Sequence, residues 1–179
     1  MPLRVVSTFD EGPGTLISFD GDNMEGAVVS GIAHASDEAK ITIEGVADIP
    51  GVASKIISPV SAANIDVDMI VQNTSAEGLT DFTFTVKRPD FDEAQALLRS
   101  VSEDIGARKV SGDPQISTGS VVGGGMRSHA GVASRVFDAL ARENINIQMI
   151  STSEIKISVV VDEKYTELAV RCLHEEFDL

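Results

Sequence analysis

An internal repeat with a spacing of 80 residues is the feature that most constrains the fold of this chain. Three matches in one register, within about 20 residues, indicate a duplicated structural unit. The matching segments are Gly51-Val52-Ala53-Ser54 with Gly131-Val132-Ala133-Ser134, Asn64-Ile65 with Asn144-Ile145, and Met69-Ile70 with Met149-Ile150. The 179 residues therefore hold two copies of a unit of about 80 residues.

Apolar periodicity predicts the same order of elements in each copy: strand, helix, strand, strand, helix, strand. In the first copy the predicted strands are 39–45, 65–72, 81–87 and 107–110, and the predicted helices are 51–64 and 91–101. Pro59 is expected to kink or shorten the first of these helices. This order is that of the ferredoxin-like βαββαβ fold. The predicted fold class is α+β, with two tandem ferredoxin-like units, each an antiparallel four-stranded sheet with its helices on one face.

The second copy lacks a fourth strand of its own. Its predicted strands are 120–124, 145–150 and 155–161 and its predicted helices are 131–143 and 164–175, after which four residues remain. We expect the strand-like run 26–32 to fill the vacant edge, which would interleave the two units. The predicted organisation is a lead-in linker at 1–25, a first domain at 26–112 and a second at 113–179, with 26–33 assigned as an edge strand of the second.

The charge balance limits the classes of partner. The chain has 28 Asp and Glu against 14 Lys and Arg, a formal net charge of −14. A surface this acidic repels nucleic-acid phosphates and anionic lipid, so neither nucleic acid nor a membrane is an expected partner. The sequence has no apolar run of about 18 residues and no signal-peptide pattern, so a cytoplasmic location is expected. Aromatic residues make up only 4%, which predicts an aliphatic core.

No motif indicates catalysis, a metal or a cofactor. The only cysteine, Cys172, is expected to be a buried, inert thiol. The three histidines stand far apart, without metal-ligand spacing. The glycines 123–125 do not continue into either phosphate-binding pattern, and Ser128-His129 lacks a third orienting group.

In both copies, a short loop leads from the first strand to a helix that begins at a glycine, at 48–51 and at 128–131. The first amides of a helix are unpaired and carry the positive end of the helix dipole, so they suit a carboxylate. Acceptors for an ammonium group are supplied by Asp48, Asp66, Asp68, Gln72, Asn146 and Glu154. This combination predicts an amino-acid site. In the alternative interpretation, Asp48 and Ser128 only cap helices and the acids of the strands only face solvent.

The sequence resembles the regulatory part of aspartate kinase over about residues 26–177. The most specific matching segments are 125–129, Gly-Met-Arg-Ser-His, and 150–158, Ile-Ser-Thr-Ser-Glu-Ile-Lys-Ile-Ser. Further matches are 30–34, 38–40, 65–73 and 80–85. The resemblance implies two ACT domains, which are small ferredoxin-like modules that bind amino acids and control an attached enzyme.

The chain departs from this family in two respects. Ser117-Thr118-Gly119 replaces the family's Gly-Lys-Val, which should weaken the start of a strand. The kinase domain with its phosphate-binding sequence is missing, although residues 2–17 resemble the end of that domain. The chain is therefore expected to be non-catalytic, either as a separately made β subunit or as a fragment of a longer kinase.

The resemblance also implies where effectors bind: at a seam between the first ACT domain of one chain and the second of its partner in a homodimer. The implied effector is threonine, with lysine as a second candidate, and the implied partner is a catalytic α subunit in lysine, threonine and methionine biosynthesis. Two alternatives stay open: an ACT sensor for a different enzyme, and a ferredoxin-like module without a ligand. The implied effector-binding residues are Asp48, Pro50, Gly51, Ala53, Asp66, Val67, Asp68 and Gln72 of the first unit, and Val132, Ala133, Asn146, Ile147, Ser153 and Glu154 of the second.

Overall fold

The computed structural model describes residues 3–6, 9, 13–17, 28–74, 78–124 and 131–179. The strands in this part of the chain are β1 (Leu3–Val5), β2 (Thr15–Ile17), β3 (Gly31–Ala47), β4 (Val67–Thr74), β5 (Leu79–Lys87), β6 (Lys109–Val122), β7 (Met149–Thr152) and β8 (Lys156–Asp162). β1 and β2 form a small two-stranded sheet, and the other six strands form one antiparallel sheet in the order β4-β5-β3-β6-β8-β7. The α-helices are α1 (Val52–Ala62), α2 (Phe91–Ser102), α3 (Val132–Arg142) and α4 (Thr166–Phe177), and 3₁₀ turns at Arg88–Asp90 and Glu163–Tyr165 precede α2 and α4.

The predicted ferredoxin-like order is confirmed in both repeats, and the four helices begin and end within two residues of the predicted positions. The sheets differ from the prediction, since the two expected four-stranded sheets form one sheet of six strands. The reason is the length of β3 and β6, with 17 and 14 residues, which run through both repeats as its central strands. The predicted segments 39–45, 107–110 and 120–124 are parts of these two long strands.

The fourth strand of the second repeat comes from the first half of β3. Gly31 to Ala35 pair with Val122 to Thr118, on the far side of β6 from β8. The second half of β3 pairs with β5 and with the start of β6. Residues 26 and 27 of the expected strand lie outside the described residues, and the predicted boundary between 112 and 113 falls inside β6.

Register shifts separate the two halves of β3. They lie between Ala35 and Glu38 and between Glu38 and Lys40, opposite β6. Such bulges bend a strand and change which face its side chains occupy. The alternation of apolar and polar residues is broken there, which is why the pattern does not predict a single long strand.

The helices pack on one face of the sheet over two aliphatic cores. In the first repeat, Ile41, Ile56 and Leu98 are fully buried with Phe84. In the second, Val136, Leu140, Val159 and Leu173 form the equivalent core. The other face, which we call the second face, carries a smaller cluster from both repeats: Met69, Ile116, Met149 and Val160. The two halves of the sheet thus approach each other on the second face.

The repeated glycine and asparagine residues mark the ends of α1 and α3. Gly51 and Gly131 precede these helices with φ of 92° and 100°, a left-handed conformation that suits glycine. Asn64 and Asn144 follow the helices with φ of 59° and 55°, which asparagine tolerates. The next amide in each repeat, that of Ile65 or Ile145, closes the helix on a carbonyl of its last turn. The same residue types therefore cap both ends of this helix in each copy of the repeat.

Replacing Gly51 by alanine should destabilise the fold by about 1–2 kcal/mol, because the new side chain is forced into a left-handed conformation. Nothing lies within 4 Å of a Cβ placed there, so the cost comes from the backbone alone. Gly31→Ala is the matched control, since Gly31 has ordinary φ and open space around it. Urea unfolding measures both. Equal stability of the two variants would contradict the prediction.

Pro59 does not end the first helix. Helix α1 continues through Pro59 to Ala62, and the amide of Ala63 still donates to the Pro59 carbonyl oxygen at 3.2 Å. Pro59 has no amide to donate to the carbonyl oxygen of Lys55, yet the helix continues for three residues beyond it. None of the helices in the described part of the chain is long and apolar enough to cross a membrane.

Candidate functional site

The loop between β3 and α1 forms one wall of a cleft. The cleft has a volume of about 430 Å³ and brings together four residues that the sequence singles out, Asp48, Pro50, Gly51 and Ala53, with Gln72 from β4. Ile49 and Val52 complete its lining. The cleft therefore offers a carboxylate, a carboxamide, the start of a helix and two aliphatic side chains.

The loop is attached to the β4–β5 hairpin by polar contacts. The amide of Asp48 donates to the Gly78 carbonyl oxygen at 3.2 Å. The Thr74 hydroxyl lies 3.3 Å from Oδ2 of Asp48 and donates to it. Gln72 is held by a bond of 3.4 Å from its Nε2 to the hydroxyl of Thr80. Because this nitrogen is directed to Thr80, the carbonyl oxygen of Gln72 stays available to a ligand. The side chain of Asp48 is exposed to solvent.

Three predicted site residues lie elsewhere. Asp66, Val67 and Asp68 line a separate cleft of about 260 Å³, together with Glu38 and Lys87 among others. Asp68 and Gln72 are four residues apart on β4, roughly 13 Å along an extended strand. Strand β4 therefore divides the eight residues that the resemblance implies for the first repeat between two clefts, with its first residues in one and Gln72 in the other.

The second repeat carries its predicted residues at comparable positions. Val132 is buried and Ala133 half-buried in the first turn of α3. Asn146 is exposed and Ile147 half-buried in the segment before β7. The loop at 125–130, which corresponds to the Asp48 loop, lies outside the described residues, and so does the Ser128-His129 pair.

Ser153 and Glu154 form an exposed turn between β7 and β8. The amide of Ser153 donates to the carbonyl oxygen of Lys156 at 2.7 Å, and the Ser153 hydroxyl accepts from the amide of Ile155 at 3.4 Å. These bonds fix the turn at one end of the sheet. They do not bring Ser153 or Glu154 into the Asp48 cleft of the same chain, whose lining comes from the first repeat alone.

Sequence reasoning missed Ile49 and Val52 as lining residues of the Asp48 cleft. Val52 belongs to the repeated tetrapeptide, so the repeat itself carried a signal for it. Ile49 is a large apolar residue that remains 57% exposed, and a single exposed apolar side chain gives no sequence signal for a site. It has no counterpart in the other repeat, where position 129 is a histidine.

Comparison with known proteins places this geometry in a family. Models of the ACT domain match residues 41–103 and residues 120–177. In a crystal structure of aspartokinase α and β subunits, one chain is 53% identical, with a TM-score of 0.80 over 84% of this chain and 99% of that one. The chain belongs to the aspartate kinase family. Its two repeats are tandem ACT domains.

Further relatives give the same assignment. The aspartate kinase of Pseudomonas fluorescens is 62% identical over 180 residues, which cover all of this chain and 44% of that protein. The regulatory subunit of aspartate kinase from Thermus thermophilus, in its ligand-free form, is 37% identical with a TM-score of 0.78, over 84% of this chain and 99% of that one. This chain thus spans less than half the length of its full-length relatives and corresponds to the ACT-domain regulatory region, not to the kinase domain.

The described residues include no group of three or more His, Cys, Asp and Glu side chains that could hold a metal ion. Cys172 is buried in the core of the second ACT domain, and its thiol donates to the carbonyl oxygen of Ala169 at 3.2 Å. Burial raises the pKa of the Cys172 thiol, with nearby Glu143 adding to the effect. The predicted burial of Cys172 is confirmed, and this environment favours the thiol over the reactive thiolate.

Proposed function

We propose that this chain binds a free amino acid at its ACT domains and thereby mediates feedback inhibition of aspartate phosphorylation in lysine, threonine and methionine biosynthesis. The observation that carries the proposal is the Asp48 cleft, in which Pro50, Gly51, Ala53 and Gln72 meet beside an exposed carboxylate. Because the chain belongs to the aspartate kinase family, aspartate kinase is the enzyme that we expect it to control.

The cleft matches both charged ends of an amino acid. The carboxylate of Asp48 and the carbonyl oxygen of Gln72 accept hydrogen bonds from the ammonium group. The ligand carboxylate faces the first amides of α1, at the positive end of the helix dipole. Ile49 and Val52 contact the side chain, which suits the methyl group of threonine. Lysine is the second candidate, since the open side of the cleft leaves room for a longer side chain.

A homodimer would complete the site. β4 and β7 are the two edge strands of the sheet, so each leaves one row of backbone donors and acceptors unpaired. Ile70 and Ile150, which are equivalent in the repeat, are 51% and 43% exposed on these strands. We propose that the first ACT domain of one chain packs beside the second of its partner. This arrangement places Val132, Ala133, Asn146, Ile147, Ser153 and Glu154 of the second domain opposite the Asp48 cleft or opposite Asp66, Val67 and Asp68.

Regulation then follows from differential affinity. Threonine at the seam stabilises one dimer arrangement over another, and the change is transmitted to the catalytic α subunit. A ligand can shift such an equilibrium only by the difference in its affinity for the two states, typically about 1–3 kcal/mol. The catalytic partner is proposed because a relative of this chain was crystallised with aspartokinase α subunits.

The dimer is expected to tighten when threonine is present. Sedimentation equilibrium of the 179-residue chain, with and without saturating threonine, measures the dissociation constant directly. A lower dissociation constant with threonine supports the seam. A chain that stays monomeric at saturating threonine would contradict it.

A thermal-shift screen of the twenty amino acids tests the function itself. A selective rise in melting temperature with threonine or lysine is expected, since a ligand that binds only the folded state stabilises it. No shift with any amino acid would favour the ferredoxin-like module without a ligand. A shift with a different amino acid would favour an ACT sensor for another enzyme.

A further inference from the structure

A second cleft lies on the second face of the sheet, between the two ACT domains. It has a volume of about 370 Å³, which is within the range of small-ligand sites. The first domain lines it with Lys40, Thr42, Val71 and Thr83, and the second domain lines it with Ile147, Gln148, Met149 and Ile150. Lys40 and Thr42 alternate along β3 with Ile41 and Ile43, which belong to the core under the helices. The polar residues therefore face the cleft by the alternation of the strand.

The charge of this cleft is opposite to that of the protein. The chain has a net charge of −14, yet none of the acidic residues that the structure describes lines the cleft. Among the described residues, no carboxylate lies within 4.0 Å of the half-buried Lys40 ammonium, whose recorded partner is Oε1 of Gln148. Lys109, by contrast, pairs with Glu44 at 3.2 Å on the surface. A half-buried cation without an acidic partner is costly unless another anion reaches it.

The internal repeat shows that the fold does not require this lysine. The hydroxyl groups of Thr42 and Thr83 lie 3.1 Å apart, and those of Ser120 and Ser158 form the equivalent pair in the second domain at 2.8 Å. Lys40 lies two residues before Thr42 on β3, and at the equivalent position Thr118 lies two residues before Ser120 on β6. The hydroxyl pair is common to both domains, whereas the cation is present in one.

Glu38 is the nearest acidic residue along β3, two residues before Lys40 on the same face. Its side chain is 4% exposed and accepts a hydrogen bond from the hydroxyl of Thr118. It does not line the cleft. Its carboxylate is thus occupied within the sheet, on the opposite side of Lys40 from Thr42.

We propose that this cleft binds a small aliphatic carboxylate that carries no ammonium group. The donors for its carboxylate are Nζ of Lys40, Nε2 of Gln148 and a threonine hydroxyl, and its chain contacts Val71 and Met149. An amino acid is a poorer fit, because the lining offers no carboxylate for an ammonium group. The cleft shares Ile147 with the residues proposed for the threonine site, but its polar groups, Lys40, Gln148 and the threonine hydroxyls, are distinct from Asp48 and Gln72.

The probe is isovalerate, titrated into the 179-residue chain and followed by the methyl NMR signals of Met149 and Val71 and by calorimetry. Saturable shifts of these signals are expected. Lys40→Met, which keeps the length of the side chain, should weaken binding by about tenfold or more. Lys109→Met removes the same charge from the surface and should bind as the wild type does. Thermal unfolding of both variants verifies that they are folded.

Several outcomes would overturn the proposal: no shift of the Met149 signal, equal binding by Lys40→Met, or equal binding of the uncharged analogue isovaleramide, which would show an apolar cleft only. A loss of binding as the chain concentration rises would show that a second copy covers the cleft, and would also overturn it. Isovalerate binding that persists when threonine fails to bind would support this site while contradicting the proposed function.

Discussion

Removal of residues 1–35 is expected to unfold the second ACT domain while the first stays folded. Gly31 to Ala35 are the fourth strand of the second domain, and buried Val29 and half-buried Ile32 pack against its core. Losing the contacts of these two side chains should cost roughly 3–6 kcal/mol, at about 1.5–3 kcal/mol for each. The first domain keeps its own four strands, since the second half of β3 and the start of β6 remain.

Amide hydrogen exchange distinguishes the two domains in one experiment. Protection should be lost in β8 and α4 and retained in β5 and α2. Removal of residues 1–17 is the control, because β1 and β2 pair only with each other in the described part of the chain. Unchanged protection of β8 after removal of residues 1–35 would show that the fourth strand is dispensable.

Asp48→Ala is expected to weaken threonine binding by about 10- to 100-fold. The substitution removes a charge-assisted hydrogen bond to the ligand ammonium group, worth about 1.5–3 kcal/mol. Stability should change little, because Asp48 is exposed and its bond from Thr74 is long at 3.3 Å. Calorimetric titration of the 179-residue chain with threonine measures the effect.

Two further variants make the Asp48 result specific. Asp138→Ala removes an exposed carboxylate from α3 and should bind threonine as the wild type does. Asp66→Ala tests the separate cleft at the start of β4. Unchanged affinity of Asp48→Ala would remove this residue from the site, and a loss confined to Asp66→Ala would move the site to the other end of β4.

The sequence predicts the elements of this fold well and the strand lengths poorly. The repeated Gly51 and Asn64 motifs correctly mark the ends of α1, because each needs a backbone conformation that few residues tolerate. The continuity of β3 was not predictable from alternation, since two register shifts interrupt the pattern. The predicted strand 145–150 begins instead at Met149, because pairing with β8 starts there.

The candidate site was predictable only where its residues are close together in the sequence. Residues close in sequence, from Asp48 to Ala53, share a cleft as expected. Asp66 and Asp68 have acceptors of the same kind but line a separate cleft, because the type of side chain does not report the distance along a strand. The length of β4 decides that distance, and its exact bounds depend on pairing with β5.

The register shift at Ser36 and Asp37 changes whether the even-numbered or the odd-numbered residues of β3 face the helices. Before it, even-numbered Ile32 packs with the core of the second domain, and after it, odd-numbered Ile41 and Ile43 pack with the core of the first. Loss of one residue at this point would turn one domain's apolar side chains to the wrong face. The polar dipeptide Ser36-Asp37 thus keeps two hydrophobic cores on the same side of one sheet.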